Sequence, residues 1–225
     1  MSKVKTFFAD PLEKTDAVLA VPPYFSAIER QAVLDAAKVA NINCLRLINE
    51  NTAVALTYGF FRRKEFDEKK ERFVAFIDFG HGNFSTTIAS FTQKKVKILA
   101  HNSDRNLGAR NFDALLLDKI SDEFNSKYGC DPREAPRVRS RLLDAIEKAR
   151  KVLSGIKETD ISIECLMEDE DLHRHLAREE FEEIIKPDIE RVQEIMKKTL
   201  KESGLKTSDL NCVEIVGDGS RIPAV

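Results

Sequence analysis

The chain has 225 residues, of which 42% are hydrophobic and 33% charged, with a formal net charge of −2. That composition suits a soluble globular chain of one large or two small domains, and it gives no electrostatic case for nucleic acid or a membrane surface as partner. No apolar run approaches the ~18 residues that span a bilayer, and the stretch after Lys3 and Lys5 is broken by Asp10, so no secretory leader is read there. Cys44, Cys130, Cys165 and Cys212 lack C-x-x-C spacing and are expected to be buried, reduced thiols, as suits a cytoplasmic protein.

In chain order, 16–21 reads as a buried strand followed by Pro22 and Pro23. Ser26-x-x-Glu29 has the spacing of a capping box and predicts a helix to about residue 40. A second strand over 44–48 and a short apolar helix over 52–60 follow; strands alternating with helices imply a parallel βαβ unit. Residues 61–72 read as a charge-rich loop or linker. From 73 to 100 the pattern becomes a β-meander, with two strands around a turn at 80–83 and a third through 96–99.

Helical stripes come next: Phe112, Leu115, Leu116, Ile120 and Phe124 within 111–128, then Leu142, Leu143, Ile146 and Leu153 within 138–154. Both read as core faces. Residues 160–166 alternate as a strand, and 178–203 predicts a long helix that Pro187 should kink or split. The last strand, 212–216, is expected to return to the meander's sheet.

Two segments carry the chemistry. Phe73-Val-Ala-Phe-Ile-Asp78-Phe-Gly80-His81-Gly82-Asn83 and Val213-Glu-Ile-Val-Gly217-Asp218-Gly219-Ser220-Arg221 are each a hydrophobic strand running into a glycine-containing turn. Glycines permit positive φ and let a phosphate approach backbone N–H groups, and an acid beside such a turn can hold a hydrated Mg²⁺ against phosphate oxygens. Either segment alone also fits a purely structural hairpin.

Together and in this order they resemble the nucleotide-binding domain of the 70-kDa heat-shock chaperone family. Ala17-Val-Leu-Ala-Val-Pro-Pro-Tyr-Phe25, Glu29-Arg-Gln-Ala-Val-Leu-Asp-Ala-Ala37, Leu45-Arg-Leu-Ile-Asn-Glu50-Asn-Thr-Ala-Val-Ala-Leu-Thr-Tyr-Gly59 and Glu147-Lys-Ala-Arg150-Lys151-Val-Leu-Ser154 agree with it. Gly80-His81, Thr52-Ala-Val-Ala-Leu and Ile163-Glu-Cys-Leu-Met167 look like the large, 110-kDa branch. The resemblance implies an α/β, actin-like ATPase (ribonuclease H-like) fold, present in part: residues 1–67 as the second half of the first lobe's base, 68–107 and 187–225 as the second lobe's base, and 108–186 as its upper, mostly helical subdomain. The first phosphate hairpin, the upper part of the first lobe and a peptide-binding domain have no counterpart, so the chain looks like a piece truncated at both ends.

The resemblance also implies roles. Asp78 is the candidate ligand of a Mg²⁺-bound water, with a strand-end turn cap as the structural alternative. Gly80, His81, Gly82 and Asn83 would lie along the β- and γ-phosphates. Here the typical chaperone has Gly at 81, Thr at 83 and Asp at 85, so His81, Asn83 and Ser85 leave binding plausible and put fast hydrolysis in doubt. His81 as a general base is the weaker reading beside a solvated turn histidine. Glu147, Arg150, Lys151 and Ser154 share one helix face, either a solvated charged face or, by the resemblance, the wall that holds the nucleoside. Lys151 stacks less well on a purine than the family's Arg. Gly217, Asp218, Gly219, Ser220 and Arg221 would complete the adenosine site, Asp218 replacing a family glycine. Gly108 and Ala109 match a hinge loop at the nucleotide. Pro22, Arg30 and catalytic-site Glu50 match positions that relay nucleotide state, with Asn51 in place of a family proline.

These expectations leave two functions in competition. One is an ATP/ADP-binding co-chaperone that docks on a 70-kDa heat-shock chaperone as its nucleotide exchange factor. The other is an ATP-hydrolysing chaperone whose unfolded clients bind through domains outside this chain.

Overall fold

A parallel pair opens the described chain: strand β1 (Thr15–Val21) and strand β2 (Ile42–Asn49), joined through helix α1 (Ala27–Val39). The computed structural model describes residues 15–225, so the reading of a missing leader, which concerns residues before 15, lies outside the described residues. Helix α1 starts where the capping box places it: Ser26 N donates to Glu29 Oε2 at 2.7 Å and Glu29 N to Ser26 Oγ at 3.3 Å. Helix α2 (Glu50–Phe61) follows β2 without a loop. β1 is not a buried strand. Its residues alternate between half-buried and exposed, and only Val21 is buried, because each of the two paired strands has one face uncovered by any described element.

A 3₁₀ turn (Arg63–Glu65) leads into the four-stranded sheet β5-β4-β3-β8, made of β3 (Arg72–Phe79), β4 (Phe84–Thr92), β5 (Lys95–Asp104) and β8 (Cys212–Val216). β3, β4 and β5 form the antiparallel meander read from the period-2 pattern, and β8 returns from 138 residues away to pair with β3 in parallel. β3 and β4 are buried almost throughout, as strands covered on both faces are. One face meets α2 through Phe66, Phe76, Phe91 and Tyr58. The other joins the larger core, where Phe79, Phe84 and Phe112 meet helix α3 (Ala109–Tyr128).

Helix α4 (Pro136–Leu153) packs on α3, and Phe112, Leu116, Ile120, Phe124, Leu142, Ile146 and Leu153 are buried as their spacing predicts; Leu115 is only half-buried. Beyond α4 the structure adds an element that the sequence pattern conceals. Strand β6 (Glu158–Met167) is one arm of a hairpin whose other arm, β7 (Glu170–Ala177), has no counterpart among the elements expected above. The charged Glu-Asp-Leu-His-Arg-His-Leu-Ala run hides its alternation: only Leu172 and Leu176 are buried.

Helix α5 (Arg178–Ser203) runs unbroken through Pro187. Proline removes one N–H bond and crowds the carbonyl four residues earlier; that carbonyl belongs to Glu183, an exposed residue on the solvent side of the helix. The four cysteines are free thiols, but only Cys130 is buried: Cys165 is exposed, and Cys44 and Cys212 are half-buried on strands. Among the described residues no helix is long and apolar enough to cross a membrane.

Candidate functional site

The site is assembled at the carboxyl ends of β3 and β8. Asp78 pairs with Ser85 on one side and Val216 on the other, one residue before the end of β3. The chain then turns through 80–83, closed by Gly80 N donating to Asn83 O at 3.0 Å. The start of α3 grips this turn: Ala109 N donates to Gly80 O (3.1 Å) and Arg110 N to His81 O (2.9 Å). Three of the turn's carbonyls are therefore used, those of Gly80, His81 and Asn83, whereas the N–H groups of His81, Gly82 and Asn83 bond to no described residue. Three unpartnered backbone donors on one turn form a concavity suited to an anion.

The glycines divide into two kinds. Neither Gly80 nor Gly82 has a positive φ, which corrects the expectation that they serve a left-handed turn. A Cβ on either would meet nothing closer than 3.4 Å, an ordinary contact with Asn83 or Arg110, so no protein atom demands glycine there. Gly108 and Gly217 are different. A Cβ on Gly108 would fall 2.6 Å from His81 O and 2.8 Å from Asn83 N. Gly217 has φ +89° and lies against Phe79 O, with the Asp78 carboxylate 2.8 Å from its Cβ position. These two hold the turn and the β8 loop against each other.

The short 3₁₀ turn Asp218–Arg221 after β8 faces the end of α4. Between them lies a cavity of about 570 Å³, lined by His81, Ala109, Glu147, Arg150, Lys151, Ser154, Asp218, Gly219, Arg221 and Ile222. Its size is that of a small-molecule site. All of these but Ile222 were singled out in the sequence, and the structure brings them together from four separate segments. Gly80, Gly82, Asn83, Gly108, Gly217 and Ser220 do not line it; Ser220 Oγ donates to Gly217 O at 2.6 Å. Ile222, buried beside the 3₁₀ turn, is the lining residue missed; an isolated apolar residue gives no motif.

Charges in the cavity are partly committed. Lys151 Nζ lies 2.6 Å from Glu147 Oε1, and that hydrogen bond holds the Glu147 carboxyl below its usual range. Arg150 is not a free cation. It is 7% exposed and donates through Nε (2.6 Å) and an Nη (3.0 Å) to both oxygens of buried Asp113. The expectation of a solvated or ribose-facing cation is corrected to a guanidinium that shows one edge to the cavity and anchors α4 to α3. Arg221 and Asp218 are exposed at the rim, 3.8 Å apart.

Asp78 and Glu50 lie outside this cavity. Burial raises the Asp78 carboxyl; burial and then the charge of Asp78 raise that of Glu50. Asp78, at the end of β3, is near enough to Glu50, in the first turn of α2, for its charge to be felt there. Among the described residues no cluster of three or more His, Cys, Asp or Glu could hold a bare metal. The pair suits Mg²⁺ carried in with phosphate oxygens and water, the ordinary manner for that ion. Arg30 fixes Glu50's surroundings by donating to Phe25 O (3.0 Å), Pro23 O (3.2 Å) and Asn49 Oδ1 (2.9 Å), which ties the Pro22 turn to the residue before Glu50. Asn51 caps locally, accepting from Thr52 N at 2.9 Å.

Comparison with known proteins identifies the family. A family model described as "Hsp70 protein" matches residues 1–225. The chain is 41% identical over 210 residues to "Heat shock 70 kDa protein 14" of Arabidopsis thaliana, covering 93% of this chain and 25% of the relative. It is 39% identical over 230 residues to "Heat shock 70 kDa protein 4L" of Homo sapiens (100% and 27%), and 37% identical over 212 residues to the "97 kDa heat shock protein" of Mesocentrotus franciscanus (93% and 24%). The chain spans about a quarter of the length of these relatives. The chain belongs to the Hsp70 family.

Proposed function

We propose that this chain is the adenine-nucleotide-binding part of a large-branch Hsp70-family chaperone, holding ATP or ADP with Mg²⁺. The observation that carries the reading is the cavity between the end of α4 and the 3₁₀ turn after β8, which gathers Glu147, Arg150, Lys151, Ser154, Gly219 and Arg221 beside the open turn at 80–83. The nucleoside would occupy that cavity, Lys151 and Arg221 flanking the base. Its phosphates would run along the free N–H groups of His81, Gly82 and Asn83. Asp78 and Glu50 would hold the waters of a phosphate-bound Mg²⁺, which neutralises phosphate charge. In family terms the described part of 1–67 corresponds to first-lobe base, 68–107 and 187–225 to second-lobe base, and 108–186 to the upper subdomain of the actin-like fold.

The role we favour is that of co-chaperone: the bound nucleotide fixes the shape of a module that docks on a partner 70-kDa heat-shock chaperone in the cytoplasm and speeds its nucleotide exchange. His81, Asn83 and Ser85 favour this over hydrolysis. His81 puts a side chain on the turn, and Ser85, opposite Asp78, replaces an acid. A hydrolysing chaperone that cycles on unfolded clients is the second reading, favoured by Asp78 and Glu50.

The test is a titration of the chain with fluorescent ADP and Mg²⁺, with Asp78→Ala and Arg221→Ala beside it. Micromolar or tighter binding, weakened in both variants, supports the reading; no binding to the wild type overturns it. The partner chaperone's ADP release rate with and without the chain decides the exchange role.

A further inference from the structure

Two arginines outside the nucleoside cavity remain unexplained by that reading. Arg105, in the loop after β5, reaches back across 76 residues to Glu29 in the first turn of α1, with Nη to Oε1 at 3.2 Å. Its guanidinium carbon also lies 5.4 Å from the centre of the Tyr24 ring. Glu29 is itself fixed by the Ser26 capping box, so Arg105 is held at both ends. Its backbone carbonyl then accepts from an Nη of Arg110 at 3.4 Å. Arg110 has no carboxylate within ion-pair distance among the described residues, and its guanidinium lies 3.7 Å from the Cβ position of Gly82.

Arg110 therefore stands over the open turn whose three N–H groups are free. Burial and then Glu50 raise the Tyr24 hydroxyl, while Arg105, a hydrogen bond with Asn83 and Arg110 pull it down. Arg110 also lines a second cavity, about 400 Å³, that shares His81 and Glu147 with the first. Of the acids there, Asp113 is bonded to Arg150 and Glu147 to Lys151, while Asp144, which lines the cavity with Arg139, makes no ion pair with Arg110. An unpaired guanidinium beside free backbone N–H groups is the arrangement that recognises a phosphoryl group.

We infer that Arg110 reads the terminal phosphate of a nucleoside triphosphate on this turn, and that Arg105 positions it. The inference rests on the nucleotide-binding reading above and adds a residue that separates triphosphate from diphosphate. On this reading Asp78 and Glu50 would serve the metal and Arg110 the phosphate.

The experiment compares dissociation constants of the 225-residue chain for fluorescent ATP and ADP, with Mg²⁺ and at two salt concentrations, in wild type, Arg110→Ala, Arg110→Lys, Arg105→Ala and Arg105→Lys. Arg110→Ala is expected to weaken ATP binding about tenfold and ADP binding less than about twofold, and to flatten the salt dependence for ATP. Arg110→Lys should recover part of the loss. Arg105→Ala should lower the ATP-to-ADP preference in the same direction, partly restored by Arg105→Lys, with the unfolding midpoint near wild type. Equal weakening of both nucleotides, or no change, in Arg110→Ala overturns the inference while leaving the nucleotide site standing. A shift in stability without a shift in preference removes Arg105 from it. A wild-type chain that binds neither nucleotide overturns this inference and the proposed function together.

Discussion

Arg150 and Asp113 form a two-pronged ion pair, 2.6 and 3.0 Å long, sealed between α3 and α4. Breaking one half of a buried pair leaves an uncompensated charge out of water. Asp113→Ala and Arg150→Ala are each expected to lower unfolding stability by about 3–5 kcal/mol, and the double variant by less than the sum, as urea melts of the four proteins will measure.

The half-buried acids Asp78 and Glu50 make a prediction of opposite sign. Both carboxyls are raised, chiefly by burial. A raised acid favours the folded state most below its unfolded value, and that contribution is lost as pH rises through the folded value. Near neutrality both charges are therefore a cost to the nucleotide-free chain. Asp78→Asn should raise its melting temperature at about pH 7, with little change at about pH 3, while weakening Mg²⁺-nucleotide binding. A fall in melting temperature at neutral pH would contradict the account.

The glycines separate structure from binding. Gly217→Ala puts a Cβ into Phe79 O at φ +89°, and Gly108→Ala drives one into His81 O. Each is expected to lose about 2 kcal/mol or more of stability. Gly80→Ala and Gly82→Ala meet no protein atom closer than 3.4 Å and should melt within about 1 kcal/mol of wild type, yet bind nucleotide less tightly because the added methyl fills the space a phosphate needs. Circular-dichroism melts paired with nucleotide titrations discriminate the two classes.

Arg174 on β7 gives a prediction from the strand the sequence concealed. It bonds Glu180 (2.6 and 3.0 Å) and Glu123 (2.9 and 3.1 Å), with Lys119 adding to Glu180 at 3.1 Å. The Arg174 hydrogen bonds lower the Glu180 carboxyl to about 2. A depressed acid contributes above its unfolded value and loses that contribution as pH falls through the folded one. Glu180→Gln should therefore cost about 1 kcal/mol at neutral pH, reduced by solvent screening, and should flatten the acid limb between about pH 4.5 and 2.

Much of this was legible before any coordinates. The capping box Ser26/Glu29, the meander and the helical stripes of α3 and α4 are local, periodic signals, and they appear where the spacing put them. The wall residues Glu147 to Ser154 and Gly217 to Arg221 converge on one cavity because strand order brings the end of β8 beside the end of β3. What stayed hidden depends on distant partners. β7 is stabilised by Arg174 reaching two other helices, so its own residues look like a loop. Burial of Asp113 and Arg150 follows from their pairing across 37 residues, and neither residue alone announces it. Pro187 misled because the rule against proline assumes a buried carbonyl, and here the carbonyl belongs to exposed Glu183.

The parallel pairing of β3 with β8 also sets a clock. Val74 meets Cys212 and Asp78 meets Val216, so both glycine turns are placed by one contact that closes a loop of 138 residues. A ribosome adding about 5–20 residues per second would expose β3 for on the order of ten seconds before its neighbour exists. Through that interval Phe76 and Phe79 belong to a strand with an open edge. A nascent chain of this kind is most vulnerable to mispairing while the first of its two glycine turns waits for the second.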